Sequence, residues 1–313
     1  MAKTSSNVKG ILFLLLAMLI ISLQSIAVKG LGGSYPVLQM VVFRNLVALP
    51  FTLLFFRLEG KRGLPTTPRF KLEFTRGMFL FLSYTTFMMG LAALPLAEVE
   101  SIRFSGPIMI TALSVLILGE RVELSRWLAL FVGFLGVLLI VRPGSASFNL
   151  GSVFVLISVF FYALTVMSTR KLQTTDSSAT MAYFSSLIYL GAALVFVPLT
   201  VMIGEIPNAH PSIAFLFRSW AIPTLQDGLI MGGLGLVWAG WTYLMARAYS
   251  LAQASVAAPF EYLSLPINMI WGFALWREVP TWMTLGGAAL TLTSGLLILY
   301  LDRKGRKNSN VPA

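Results

Sequence analysis

The 313-residue chain contains no cysteine, one histidine and few charged residues. Without cysteine, disulfide bonds, thiolate chemistry and cysteine-based metal sites are excluded. Only 11% of the residues are charged, against about a quarter in a soluble domain, so neither a soluble domain nor a disordered chain is expected. The sequence shows no His, Asp and Glu cluster with metal-ligand spacing, so no catalytic site, metal or other cofactor is predicted.

Apolar sequence takes the place of these features. Hydrophobic residues make up 57% of the chain, and its mean hydropathy is +0.82. Apolar windows of spanning length recur ten times, and their runs do not alternate with polar residues. Helices are therefore predicted and not the strands of a membrane barrel. The predicted spans are residues 10–29, 36–56, 74–94, 98–118, 126–141, 150–169, 180–203, 225–246, 254–275 and 281–301.

The positive charges predict how the helices cross the bilayer. The net charge is +11, and most lysines and arginines fall in the loops that are cytoplasmic if the N-terminus is cytoplasmic. This distribution predicts that both termini lie in the cytoplasm, because basic loops stay on that side. It also explains the positive charge without a nucleic-acid partner.

The two halves of the chain repeat the same landmarks. Pro107 precedes the pair Gly119-Glu120 in the first half, much as Pro266 precedes Glu278 in the second. Five helices per half is an odd number, so the halves enter the membrane from opposite sides, as in the inverted repeats of secondary transporters. The predicted repeats are residues 1–144, with helices 1–5, and residues 145–313, with helices 6–10 and a basic cytoplasmic tail.

Residues 94–143 and 256–300 resemble the ends of the two repeats in the EamA branch of the drug/metabolite transporter superfamily. The sequence departs from the family pattern at Arg277, where a glycine usually precedes the glutamate. Members of this branch include bacterial carriers of riboflavin, S-adenosylmethionine and amino-acid-like metabolites. The resemblance implies an all-α, ten-helix secondary transporter of the bacterial cytoplasmic membrane that moves a small organic metabolite or drug.

Two ionisable residues inside the predicted spans are the main candidates for solute binding. Arg44 and Glu261 each lie eight residues into a span, roughly 12 Å deep in a core of about 30 Å. A charge there costs about 2.5–3.5 kcal/mol. Either the two form a permanent salt bridge that fixes helix packing, or a charged solute binds between them. Ser185 occupies the position of Arg44 in the second repeat. Glu261 is also a candidate for taking up a proton when the solute leaves.

The remaining site candidates are polar and aromatic side chains within the spans, which could equally be core residues. Those predicted to contact the solute are Tyr84, Tyr162, Trp238, Tyr262, Ser264 and Asn268. Glu100 and Arg103, one helical turn apart, are predicted either to gate the outer mouth or to form an ion pair. The predicted hinges are Pro107, Pro259 and Pro266, since proline interrupts helix hydrogen bonding.

These patterns predict alternating access between the two repeats, driven by a proton or solute gradient or acting as a facilitator. The alternative is a lipid-handling protein or enzyme that acts on a polyprenyl-type lipid, whose polar groups would face a groove open to the bilayer. Glycines in helices 5 and 10 permit close helix contact and predict a scaffold, with a homodimer through these helices. The partners expected are therefore a small solute, the bilayer and a second copy of the chain.

Overall fold

The computed structural model describes residues 2–31, 35–94, 99, 102–141, 150–264, 267, 270–271, 274 and 282–309. These residues form helices and their connections, without a strand among them, which confirms the all-α prediction. The helices are α1 (Ala2–Leu31), α2 (Val37–Leu58), α3 (Phe70–Leu91), α4 (Gly106–Leu118), α5 (Leu124–Val141), α6 (Leu150–Leu172), α7 (Ser178–Ile203), α8 (Leu225–Leu251), α9 (Ala254–Ala257) and α10 (Trp282–Ser309). A single turn, Pro211–Ala214, lies in the α7–α8 connection, and a 3-10 helix, Ala258–Leu263, continues α9.

Five of the described helices are long and apolar enough to cross a membrane: α1, α2, α6, α7 and α8. The α3 helix lies on another predicted span, but Lys71, Glu73 and Arg76 fall in its first two turns. Shorter apolar helices occupy residues 106–118, 124–136 and 285–297. The helices therefore coincide with the apolar windows of the sequence.

Proline shapes the fourth and ninth predicted spans, which are not continuous α-helices. A turn at residues 104–105 precedes α4, and Pro107 lies in the first turn of that helix. Pro259 lies at the start of the 3-10 helix that follows α9. Proline fits a first helical turn because its missing N–H has no intrahelical acceptor there. The predicted kink at Pro107 is thus corrected to a helix start, and Pro266 lies outside the described residues.

The two halves of the chain make the same pattern of helix contacts. In this pattern α1, α2 and α3 of the first half correspond to α6, α7 and α8 of the second. The α1 helix packs on α8 as α6 packs on α3, and α2 packs on α8 as α7 packs on α3. The α2 and α5 helices each pack on their own counterparts, α7 and α10. This is the contact pattern that two repeats related by a two-fold axis would produce.

Small residues allow these close contacts. A Cβ built on Gly235 of α8 would lie 2.5 Å from the carbonyl oxygen of Arg44, and one on Gly133 of α5 would lie 2.8 Å from the hydroxyl of Ser294 in α10. The predicted small face of α5 and α10 thus includes Gly133, which serves a contact within the chain.

Candidate functional site

Arg44 is buried in the centre of the bundle, with 2% of its surface exposed. Its guanidinium carbon lies 3.8 Å from the ring centre of Trp238, 4.3 Å from that of Tyr84 and 5.3 Å from that of Tyr189. Aromatic faces attract a cation at these distances. None of its three guanidinium nitrogens has a hydrogen-bond partner among the described residues. Trp238 and Tyr84 were predicted from the sequence, whereas Tyr189 was not.

Other polar atoms beside Arg44 also lack partners within the described part of the chain. They are the hydroxyl of Tyr189 and the indole nitrogens of Trp238 and Trp241, whose rings are 5.0 Å apart. Indole nitrogens and guanidinium groups only donate hydrogen bonds. This cluster of hydrogen-bond donors therefore fits a group that accepts hydrogen bonds, such as a carboxylate or a carbonyl.

Glu261 lies in the 3-10 helix and is held by two tyrosines. Its Oε1 accepts hydrogen bonds from the hydroxyl of Tyr162 at 2.8 Å and from that of Tyr249 at 2.5 Å. Arg44 instead lies among its aromatic rings, and no ion pair joins these two described residues. The direct Arg44–Glu261 salt bridge, one of the two alternatives drawn from the sequence, is therefore wrong.

A cavity lies between α3, α6 and α8. Trp241 and Tyr249 line it, as do the hydroxyl-bearing Thr165, Thr169 and Thr242. Trp241 connects the cavity to Trp238 and Arg44, and Tyr249 connects it to Glu261. The volume of the cavity is about 20 Å³, which is space for roughly one water molecule. The helices must separate before any larger molecule can enter.

Arg76 also lines this cavity, although it was not among the site residues predicted from the sequence. It is 3% exposed, and its Nε donates to Thr169 at 2.7 Å. One terminal nitrogen donates to the carbonyl of Met181 at 2.9 Å and to the hydroxyl of Ser185. The carboxylate oxygen Oε2 of Glu73, one turn before Arg76, lies 3.9 Å from its terminal nitrogen Nη1. The Glu73–Arg76 spacing is the signal that could have revealed a buried pair.

The structure does not bring all predicted site residues together. Tyr262 packs beside Phe104, with ring centres 6.0 Å apart, and against α5, away from the cavity. Ser264 donates to the carbonyl of Glu261 at 2.8 Å. Arg103 is exposed, and its guanidinium lies 5.1 Å from the ring centre of Phe87. Three further candidates lie outside the described residues: Glu100, Pro266 and Asn268.

Comparison with known proteins decides the family. The sequence model of the EamA-like transporter family matches the chain twice, over residues 8–142 and 149–300. The chain belongs to the EamA-like transporter family. This confirms the resemblance noted in the sequence and the ten-helix membrane fold. Each of the two matches covers one of the halves that share landmarks.

Relatives at about a quarter identity carry transporter names. The chain is similar to the "S-adenosylmethionine uptake transporter" of Rickettsia bellii, with 26% identity over 94% of both chains. It is 26% identical to the "Riboflavin transporter" of Vibrio cholerae over 88% of this chain and 87% of that one. It is 25% identical to the "Pseudopaline exporter CntI" of Pseudomonas aeruginosa over 95% and 97%.

A solved crystal structure shows the same fold. It aligns with a TM-score of 0.76 at 14% identity and covers 96% of this chain and 99% of its own. The chain is accordingly a multi-pass membrane protein of a bacterial transporter family whose named relatives are carriers of small molecules and not enzymes.

Proposed function

We propose that this protein is a secondary transporter that moves a small organic metabolite across the bacterial cytoplasmic membrane by alternating access. The observation that carries the proposal is the buried guanidinium of Arg44, which has no hydrogen-bond partner among the residues that the structure describes. It lies close to a cavity whose other wall holds Glu261 through Tyr249. The transporter names of the relatives support the same class of function.

The contrast with Arg76 argues against a purely structural role for Arg44. A buried charged group without hydrogen bonds is costly. The chain meets this cost at Arg76 with three hydrogen bonds and a neighbouring carboxylate. At Arg44 the described part of the chain supplies the aromatic side chains of Tyr84, Tyr189 and Trp238 and no carboxylate. An acceptor brought by the solute would complete the Arg44 site.

The chemistry of the two ends suggests the class of solute. Donors and aromatic rings surround Arg44, which suits a carboxylate or carbonyl beside a planar group. Glu261 offers a carboxylate for a positively charged group or for a proton. Riboflavin-like, S-adenosylmethionine-like and amino-acid-like solutes carry such groups. We propose that the protein binds and moves such a solute without changing it chemically.

Movement between two states requires parts of the fold that bend. In the proposed cycle the repeats of residues 1–144 and 145–313 rock about the cavity, with both termini in the cytoplasm. The start of α4 at Pro107 and the 3-10 helix at Pro259 interrupt regular α-helix in these two spans. We propose these two prolines as the places where the change is absorbed.

A thermal-shift screen of the purified protein tests the site. Riboflavin, S-adenosylmethionine and free amino acids are added to the unaltered protein and to Arg44→Ala. We expect a solute that raises the melting temperature of the unaltered protein and has little effect on Arg44→Ala, because the variant lacks the cationic donor. Losing a hydrogen bond to a charged group weakens binding about tenfold or more.

The matched control is Arg57→Ala, which removes an exposed arginine from the same helix. It should keep the full solute-dependent shift. A shift that survives unchanged in Arg44→Ala would refute the assignment of Arg44, and a loss in both variants would show a non-specific charge effect.

A further inference from the structure

The pair Gly119-Glu120 lies at the end of α4, where the turn at Gly119 orients the carboxylate of Glu120 towards α9. Gly119 has a φ of +66°, in the left-handed region that favours glycine. The turn lets the N–H of Glu120 donate to the carbonyl of Ser114 at 3.1 Å. The side chain of Glu120 is 9% exposed. The solute site proposed above makes no use of it.

The carboxylate of Glu120 binds the beginning of α9. Its Oε1 accepts from the backbone N–H of Ala254 at 3.1 Å. Its Oε2 accepts from the N–H of Ser255 at 3.1 Å and from the hydroxyl of Ser255 at 2.6 Å. Hydrogen bonds to a charged acceptor are stronger than neutral ones. A residue of the first repeat thus holds the first turn of a helix in the second.

A chain of contacts joins Glu120 to Glu261. Arg170, in the last turn of α6, lies 3.8 Å from Glu120. The same guanidinium donates to the carbonyl of Tyr249 at 3.3 Å. The hydroxyl of Tyr249 in turn donates to Glu261. A displacement of Glu120 would therefore reach Glu261 through both α9 and Tyr249.

The α1 helix closes over the same segment, residues 251–255, which we call the junction. The hydroxyl of Ser6 donates to the carbonyl of Leu251 at 2.6 Å. The side-chain oxygen of Asn7 accepts from the N–H of Gln253 at 3.3 Å. The junction is therefore held by α1 and by the α4–α5 connection, while α6 binds the carbonyl of Tyr249 just before it.

We propose that Glu120 is a positioning residue that holds the junction closed over the end of the cavity nearest Tyr249 and sets the position of Glu261. Release of the junction from Glu120 opens that end. The inference rests on the proposed transport function, since only a carrier needs this end to open. Its test uses no solute, so its failure would leave the solute-binding test above standing.

The absence of cysteine allows a direct test in the full chain. Thr165→Cys places a nearly isosteric thiol in the cavity wall, and its reaction rate with a maleimide reports opening. We expect slow labelling in Thr165→Cys alone and labelling about tenfold faster or more when Glu120→Gln is added. Loss of charge-assisted hydrogen bonds shifts the closed-to-open equilibrium by such a factor. Ser255→Ala, which removes only the hydroxyl bond, should give a smaller increase.

Two controls separate positioning from a general loss of stability. Glu123→Gln removes an exposed carboxylate from the same connection and should leave the rate unchanged. A single Ala193→Cys, fully buried in α7, should stay slow with Glu120→Gln, because global unfolding alone would expose it. The proposal is overturned if Glu120→Gln leaves the Thr165→Cys rate unchanged, or if it speeds Ala193→Cys equally.

Discussion

The two buried arginines differ in how their donors are used. Arg76 binds α6 and α7 through Thr169, Met181 and Ser185. Arg44 contacts aromatic faces and has no hydrogen-bond acceptor among the described residues. Ser185 holds the position of Arg44 in the second repeat, so corresponding helix pairs each contain one buried guanidinium. Arg76 binds neighbouring helices, whereas Arg44 is the residue that we propose for solute binding.

Arg76→Gln should destabilise the protein because it leaves Glu73 buried without its cationic neighbour. Removing one partner of a buried pair costs roughly 3–5 kcal/mol. The double variant Glu73→Gln/Arg76→Gln removes both charges and should recover part of that loss. Thermal unfolding of the purified proteins measures both effects. Equal melting temperatures for Arg76→Gln and the unaltered protein would contradict a packing role.

Glu261→Gln tests proton coupling. Glutamine keeps an oxygen that can accept from Tyr162 and Tyr249 but cannot take up a proton at neutral pH. In proteoliposomes the variant should lose solute accumulation driven by a pH gradient while keeping exchange of solute for solute. Proton-driven flux at the unaltered rate would rule out this role for Glu261.

The sequence indicated residues whose chemistry conflicts with their local surroundings. Arg44 and Glu261 stood out because an apolar window surrounds each of them. Arg76 did not, because it lies near a helix end where basic residues are common. The roles of Tyr249 and Glu120 arise from contacts between segments far apart in the chain, such as Glu120 with Ser255. No local sequence pattern predicts contacts between such distant segments. The family resemblance and the order of the helices, in contrast, could be predicted from the sequence.

Contacts between elements also close the end of the bundle where α2 and α8 begin. Tyr35 donates to a carboxylate oxygen of Asp227 at 2.7 Å. The Gln39 side chain donates to the carbonyl of Ala221 at 2.5 Å and accepts from its N–H at 3.2 Å. In the proposed transport cycle, solute would enter by displacing either these contacts or those of the junction.

The contact at Tyr35 predicts a pH dependence. The hydrogen bond to Asp227, followed by burial, raises the pKa of Tyr35 above its ordinary value of 10.0. The folded chain thus keeps this proton to a higher pH than the unfolded chain does. The resulting stability is complete below pH 10.0 and is lost as the pH rises through the folded pKa.

As the pH rises above 10.0, the melting temperature of the unaltered protein should therefore fall more steeply than that of Tyr35→Phe, which has no proton to lose at this position. Asp227→Asn keeps the tyrosine but removes the carboxylate that raises its pKa, so its curve should be shifted to lower pH. Identical pH curves for all three proteins would show that this contact does not contribute to stability.

At the scale of the whole molecule, the repeat and the charge distribution together predict the topology. Single cysteines at Arg62 and Asn208, both exposed, report the two sides of the membrane. With cytoplasmic termini, an impermeant maleimide added to whole cells should label Asn208→Cys, while Arg62→Cys should react only after the cells are opened. The reverse pattern would invert the proposed orientation.

The homodimer through α5 and α10 stays a prediction. These helices pack on each other within one chain, and Ser294 donates to the carbonyl of Ala129 at 2.5 Å. Their outer faces carry exposed Phe131 and Leu296, which suit lipid as well as a second copy. Light scattering in detergent would show whether Phe131→Ala changes the mass of the particle.

The stacking of Arg44 on Trp238 gives the molecule an intrinsic optical signal. Indole emission responds to a charge held 3.8 Å from the ring, and a solute oxygen that draws the guanidinium away would alter that charge's position. Subtracting the spectrum of Trp238→Phe would isolate the response from the other tryptophans. Solute binding could then be followed in real time without attaching any dye.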